Sequence, residues 1–382
     1  MPQYCCLIRS AVILSIAAVM TPAFAQFVPT ETEVCPASAG IRDPEFDPSS
    51  GFVAFFDNQS STLEVARVLR NGMVYGCRGR VVDTDMTMTL PNFPLKNGPE
   101  WGVSLRGTEI YYTKINDFGE PSLARAWYEN GWQHELLGQG SNRGLALATI
   151  NAADPVPALL YAKSLPDLTY TLLWRDANDP ASETSFPANI GENTGSSPRW
   201  IAGQRAISTS VADEHGVYQA ARYDLDTQQV EMLTFDPGDK SEVWMWSAPE
   251  FGGEPVLTAI VDGCCLNVYR QIGGDWTVIQ TFDPAQFSPR PAIISPEPFV
   301  HNGRSYLVMQ LSERRYSQGE IWMASIDPAA PLLVEISDPQ QTGLVRTEPE
   351  WMTTSQGVFV YYSLVESRGS FSLRRLSTPL GP

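Results

Sequence analysis

The sequence predicts an all-β chain: a seven-bladed β-propeller of four-stranded antiparallel blades, with the ring closed by the N-terminal strand. Three observations carry this expectation. A Pro-Glu-aromatic signature or a near variant recurs at Pro44-Glu45-Phe46, Pro99-Glu100-Trp101, Pro198-Arg199-Trp200, Pro249-Glu250-Phe251 and Pro349-Glu350-Trp351, with a degenerate copy at Glu297-Pro298-Phe299. Pro44 and Pro349 are 305 residues apart. That span makes six steps of about 51 residues once an unmarked copy is placed near Asn142-Arg143-Gly144, hence seven units. Within each unit, short runs rich in β-branched and aromatic residues alternate with polar or Gly-containing turns.

The elements follow in chain order. Arg9, the apolar run from Ala11 to Met20, Thr21-Pro22 and the small-x-small triplet Ala23-Phe24-Ala25 read as a secretory signal peptide over residues 1–25, cleaved before Gln26. The run is far shorter than the roughly 20 apolar residues that span a bilayer. Residues 26–382 are expected to form a single propeller domain. The segment from Phe27 to Val34 precedes the first signature and supplies a strand to the last unit, where the chain runs out after Phe371 to Leu376. Strands that follow the signatures are expected at Phe52 to Phe56, Glu109 to Thr113, Val256 to Val261, Tyr306 to Gln310 and Val358 to Ser363. The next run in each unit includes Leu63 to Leu69, Leu123 to Tyr128, Leu168 to Trp174, Val217 to Tyr223, Leu266 to Gln271 and Ile321 to Ile326. Outer strands follow at Trp132 to Leu137, Val230 to Phe235 and Trp276 to Phe282. Paired β-sandwiches would also give many short strands, but would not require one signature at even spacing.

Charge narrows the partners. With 43 acidic against 26 basic residues in 382, the net charge is -17, so no polybasic face exists for nucleic acid or an anionic membrane surface. A monomer without a membrane span is expected. The sequence contains no His-Glu-x-x-His, Gly-x-Ser-x-Gly, phosphate loop or dinucleotide fingerprint, which disfavours the corresponding enzyme classes. Cys5 and Cys6 leave with the signal peptide. Cys35, Cys77, Cys264 and Cys265 remain in an oxidising compartment, periplasmic or extracellular, and allow three pairings. Adjacent Cys264 and Cys265 are expected to close on each other, leaving Cys35 to pair with Cys77.

The repeat resembles the TolB-type propeller family, whose blades open with Pro-x-Trp/Phe followed by a Ser-Pro-Asp-Gly turn. The nearest match is Pro44-Glu45-Phe46-Asp47-Pro48-Ser49-Ser50-Gly51, and His301-Asn302-Gly303 stands at the corresponding turn of the sixth unit. The likeness spans roughly residues 43 to 376. It implies a periplasmic interaction module, a peptidase accessory domain or, in related propellers, a polysaccharide-degrading enzyme.

In a propeller, the loop into the innermost strand and the loop between the second and third strands open on the same face. Glu45, Glu100, Glu250 and Glu350 are therefore expected around the channel mouth, with Arg199 at the equivalent place and Arg143 in the unmarked unit. Asp117 lies on a second-to-third strand loop, as does the Cys264-Cys265 pair. Such a collar suits sugar hydroxyls or a hard cation, with calcium as a candidate and no cofactor required. Alternatively, each Glu accepts hydrogen bonds from the next blade while the aromatic packs between blades. His215 as base, Tyr316 as acid and Arg314 or Arg315 as carboxylate partner would supply the parts of a uronate lyase. Two readings result: a carbohydrate or small-molecule binder with lyase-type cleavage as an option, or a non-catalytic module that holds a basic protein segment. Whether the protein is an enzyme stays open.

Overall fold

The computed structural model describes residues 27–382 apart from 89–97, 105–106, 140–144, 147–157, 165–169, 177, 188, 191–197 and 368. The expected signal peptide lies outside the described residues. Seven four-stranded antiparallel sheets follow one another in chain order as the blades of a β-propeller. Blades 1 to 6 open on Ile41–Asp47, Glu100–Ser104, Leu145–Ala146, Arg199–Trp200, Lys240–Ala248 and Ala292–His301, and blade 7 opens on Arg346–Thr354. The unmarked unit is thus blade 3, whose innermost strand starts one residue after the Asn142-Arg143-Gly144 estimate.

Local sequence accounts for the hairpins. Asn302 and Gly303 both adopt positive φ, 49° and 73°, and His301 pairs with Arg304 across them. Two left-handed residues make the tight turn whose twist matches a β-hairpin. In the turn of blade 4, the Asp213 carboxylate accepts from the backbone N–H of His215 and of Val217, at 2.8 and 3.0 Å, closing the loop locally.

Each sheet buries both faces, so the apolar core is a set of layers between neighbouring blades. Val256, Leu266 and Val268 of blade 5 pack with Leu307, Met309 and Leu311 of blade 6. Blade 6 in turn meets Val358, Val360 and Tyr362 of blade 7. The signature aromatics belong to these layers: Phe46 stacks on Tyr361 at 4.1 Å, and Trp351 on Phe299 at 5.1 Å. Trp101 Nε1 donates to the Glu45 carbonyl at 2.8 Å, linking blades 2 and 1.

Ring closure follows the expected route. Glu31–Cys35 pairs antiparallel with Ser370–Ser377 as the outermost strand of blade 7. Two devices hold it. The Glu31 carboxylate is buried against Arg346 Nη2 at 3.0 Å and accepts from the Tyr362 hydroxyl. Cys35 and Cys77, 42 residues apart, form a disulfide that ties the closing strand to blade 1. The Cys264 and Cys265 sulfurs, for which a vicinal bridge is expected, lie 2.9 Å apart in the turn between the second and third strands of blade 5. Cys264 precedes the third strand of its blade and its carbonyl accepts from the N–H of Ile293 at 3.0 Å, so the turn is already fixed by the next blade.

Removal of the Cys35–Cys77 bridge in Cys77→Ser is expected to cost about 4 kcal/mol of unfolding free energy in the chain-entropy model, read by guanidinium denaturation. Glu31→Gln strands the buried Arg346 guanidinium and should cost about 3 to 5 kcal/mol in the same measurement.

Candidate functional site

Four innermost strands carry an extra residue that interrupts pairing, between Arg42 and Glu45, Ser241 and Trp244, Ile294 and Glu297, and Thr347 and Glu350. At each, one residue takes a left-handed conformation: Asp43 (φ 44°), Glu242 (φ 48°), Ser295 (φ 47°) and Glu348 (φ 56°). A bulge breaks the alternation that sends side chains to the two flanking blades. The residue two places on, Glu45, Trp244, Glu297 or Glu350, is thereby released towards the ring axis. In three of these blades the residue between them is proline, Pro44, Pro296 or Pro349, whose missing N–H suits an unpaired position.

This register corrects two sequence expectations. Glu297 is in step with the collar, because its repeat is Ser295-Pro296-Glu297 and not Glu297-Pro298-Phe299. Glu250 is outside the collar: Pro249–Phe251 is a 3-10 turn after the innermost strand of blade 5. Its carboxylate accepts from the backbone N–H and hydroxyl of Ser305, at 2.9 and 3.0 Å. The alternative role for the signature Glu, bonding the neighbouring blade, therefore holds for Glu250. Trp244 occupies the channel position of blade 5.

Charges from six blades act on one another, an arrangement only the axis of the ring permits. They are Asp43 and Glu45 of blade 1, Glu100 of blade 2, Arg199 of blade 4, Glu242 of blade 5, Glu297 and Arg315 of blade 6, and Glu348 and Glu350 of blade 7. Arg199 Nη2 lies 3.5 Å from Glu242 Oε2, and its guanidinium rests 4.5 Å from the Trp244 ring centroid. At the mouth, Glu348 Oε1 accepts from the Tyr316 hydroxyl at 3.0 Å and pairs with Arg315 Nη2 at 3.3 Å. Arg42 donates to the Gly369 carbonyl and lies 3.7 Å over the Phe371 ring. Among the described residues, the side chains of Glu45, Glu297 and Glu350 have no hydrogen-bond donor, and no group of three or more His, Cys, Asp or Glu side chains is placed to hold a metal ion.

The crowding shows in the acidities. Burial, then repulsion from Glu348 and Glu100, pushes the Asp43 carboxyl up to about 7. Burial likewise pushes Glu297 up to about 8, with Glu242 and Glu100 adding to it against the attraction of Arg199 and Arg315. Glu45 and Glu350 are raised well above the ordinary carboxylate range by burial and by each other's neighbours, Glu350 and Glu100 for the first, Glu297 and Glu100 for the second. All these groups keep part of their surface open to the channel, yet protein surrounds them on every side.

The remaining sequence candidates separate. Tyr316 and Arg315 do meet at the mouth through Glu348. Arg314 is exposed, and its carbonyl, not its guanidinium, makes the local bonds, accepting from the hydroxyls of Ser312 and Ser317. His215 is 78% exposed with Glu214 3.6 Å away, in a blade 4 turn that brings it against neither Tyr316 nor Arg315. The three parts of a lyase are thus not assembled. Asp117 sits in an exposed turn closed by the Asn116 side chain, and Phe118 beside it is 80% exposed. Arg143 lies outside the described residues. Sequence reasoning missed Asp43, Glu242, Glu348 and Trp244. Asp43 and Glu348, which directly precede Pro-Glu, were the signal available.

Raised carboxyl pKa values link protons to folding. The folded state holds protons on Asp43 and Glu297 up to pH 7 to 8, where the unfolded chain has lost them near 4. The stability this contributes is present at low pH and is lost as pH rises through the folded values. Thermal melts should therefore show the melting temperature falling between pH 5.5 and 8.5, and Glu297→Gln should flatten that slope and add roughly 2 kcal/mol at pH 8.5.

No known family profile matches the sequence, and no curated protein matches it. Solved structures that resemble the chain are propellers. The dihydro-heme d1 dehydrogenase NirN, in complex with DHE, is 13% identical, with 90% of this chain and 67% of that one covered at a TM-score of 0.50. A putative TolB from Agrobacterium tumefaciens is 16% identical over 64% of this chain and 82% of that one, at a TM-score of 0.40. A six-bladed fungal lectin from Aleuria aurantia, described with a fucose recognition mode, is 9% identical over 74% of this chain and 94% of that one, at 0.42. At these identities the likeness is one of fold alone, and the seven blades are read from this chain's own sheets.

Proposed function

We propose that the protein is an extracytoplasmic ligand-binding propeller whose channel mouth takes a cationic group, a lysine or arginine side chain on a basic segment of a partner protein. The observation that carries this reading is the convergence of Glu45, Glu297 and Glu350, none accepting a hydrogen bond among the described residues, with Arg199 and Arg315 too few to balance them. Carboxylates held together above their ordinary pKa gain free energy when a cation replaces the protons they retain. The Cys35–Cys77 disulfide supports a periplasmic or secreted location. Trp244 Nε1 and Arg199 Nε, both buried and unpartnered, add polar groups that a bound ligand can satisfy.

Carbohydrate binding on the same face is supported by the exposed rings of Phe118 and Tyr316, 80% and 55% accessible, on loops of blades 2 and 6. Titration separates the two. A tri-lysine peptide followed by calorimetry at pH 6, 7 and 8 should bind with release of protons, its affinity rising by about tenfold per proton displaced per pH unit. Glu350→Gln should weaken it by tenfold or more. Affinity that is flat with pH, or a neutral oligosaccharide outcompeting the peptide, would remove the cationic reading.

A further inference from the structure

The seam between blades 4 and 5 contains a cleft of about 450 Å³ that the channel does not use. It exists because the outermost strands of these blades differ in length. Gln229–Met232 of blade 4 has four residues, whereas Asp275–Phe282 of blade 5 has eight, so the outer end of blade 5 stays uncovered on the side facing blade 4. On that face Tyr269 stands opposite Val278, and Gln271 opposite Trp276, across the third and fourth strands. From the other side the wall is completed by Phe235 and Asp236, on the segment leading into the innermost strand of blade 5.

That segment is rigid. Lys240 is fully buried, and its ammonium donates to the carbonyls of Asp236, Pro237 and Gly238, the last two at 3.2 and 2.9 Å. It also lies 3.3 Å from Asp236 Oδ1, while the Tyr269 hydroxyl donates to Asp236 Oδ2 at 3.1 Å. The carboxylate is thereby oriented and its charge matched, yet each oxygen keeps acceptor capacity. Beside it, the Phe235 ring is 76% exposed on a loop fixed by four contacts to a buried lysine, an uncovered apolar surface that mobility does not explain.

We propose that this cleft is a carbohydrate-binding site for an uncharged pyranose. Flat aromatic faces at Phe235 and Trp276 suit the C–H face of a sugar ring, whose weakly positive hydrogens rest on the negative π surface. The polar groups around them match hydroxyls: Asp236 and Asp275 accept, and the Gln271 amide both donates and accepts. The volume falls within the range of small-molecule sites. The lining contains no lysine or arginine, so a uronate or sialate would find no partner for its carboxylate. Asp236 is already matched by Lys240, whereas Glu231 and Asp275 complete the acidic lining, so a cation is the competing occupant that the test must separate. The site uses no channel residue and stands on observations independent of the channel.

Calorimetric titration of the whole protein with the methyl glycosides of glucose, galactose, mannose, fucose and N-acetylglucosamine tests it, with tryptophan fluorescence reporting Trp276. At least one glycoside should bind at millimolar concentration or below, with a fluorescence change. Phe235→Ala, which removes an exposed ring and leaves the core intact, should weaken binding tenfold or more, and so should Gln271→Ala. Saturable binding of none of the five overturns the proposal. So does binding that both variants leave unchanged, or tighter binding of methyl glucuronide or tetramethylammonium.

Discussion

The structure depends on the closure of its ring by one strand from the opposite end of the chain. A propeller blade buries both faces only if a neighbour stands on each side, so an open ring would expose two apolar sheet faces and their edges. Here Glu31–Cys35 completes blade 7. The buried Glu31 and Arg346 pair anchors its start, and the disulfide from Cys35 reaches across to blade 1. Strand pairing and the ion pair span the joint that has no chain continuity of its own, while the disulfide fixes the closing strand to blade 1, which follows it directly in the chain.

Closure also creates the acidic channel. No blade contains the site: each offers one or two side chains, and their proximity is a property of the ring. The carboxylates repel one another, which works against the compact state, and the joint between blades 7 and 1 lies close to the centre of that repulsion. Asp43 and Glu45 stand on one side of it, Glu348 and Glu350 on the other. The pairing of the closing strand with Ser370–Ser377 and the Glu31–Arg346 ion pair hold the ring against this strain, and the protonation that accompanies lower pH relieves it.

How much of the site was legible can be argued from two glutamates. Glu250 and Glu297 sit in nearly the same letters, Pro-Glu-Phe and Pro-Glu-Pro-Phe, and the first looks the better copy. The structure reverses them, because the bulge at Ser295 turns Glu297 to the axis, while Pro249-Glu250-Phe251 has left the strand and turned towards blade 6. A three-residue signature cannot record whether a strand bulges before it. The residue that adopts left-handed geometry can be Asp, Glu or Ser, with little shared composition.

The sequence by itself determined the architecture: all-β blades, seven units and closure from the N-terminus. Those features rest on strand periodicity and repetition, which are local properties that each unit restates. Tertiary structure alone decided which carboxylates meet at the axis, that His215 stands apart from Tyr316, and that a short outer strand in blade 4 opens a cleft beside Trp276. Each of these depends on distances between blades, set by register and strand length across separate sheets, and no local pattern encodes them.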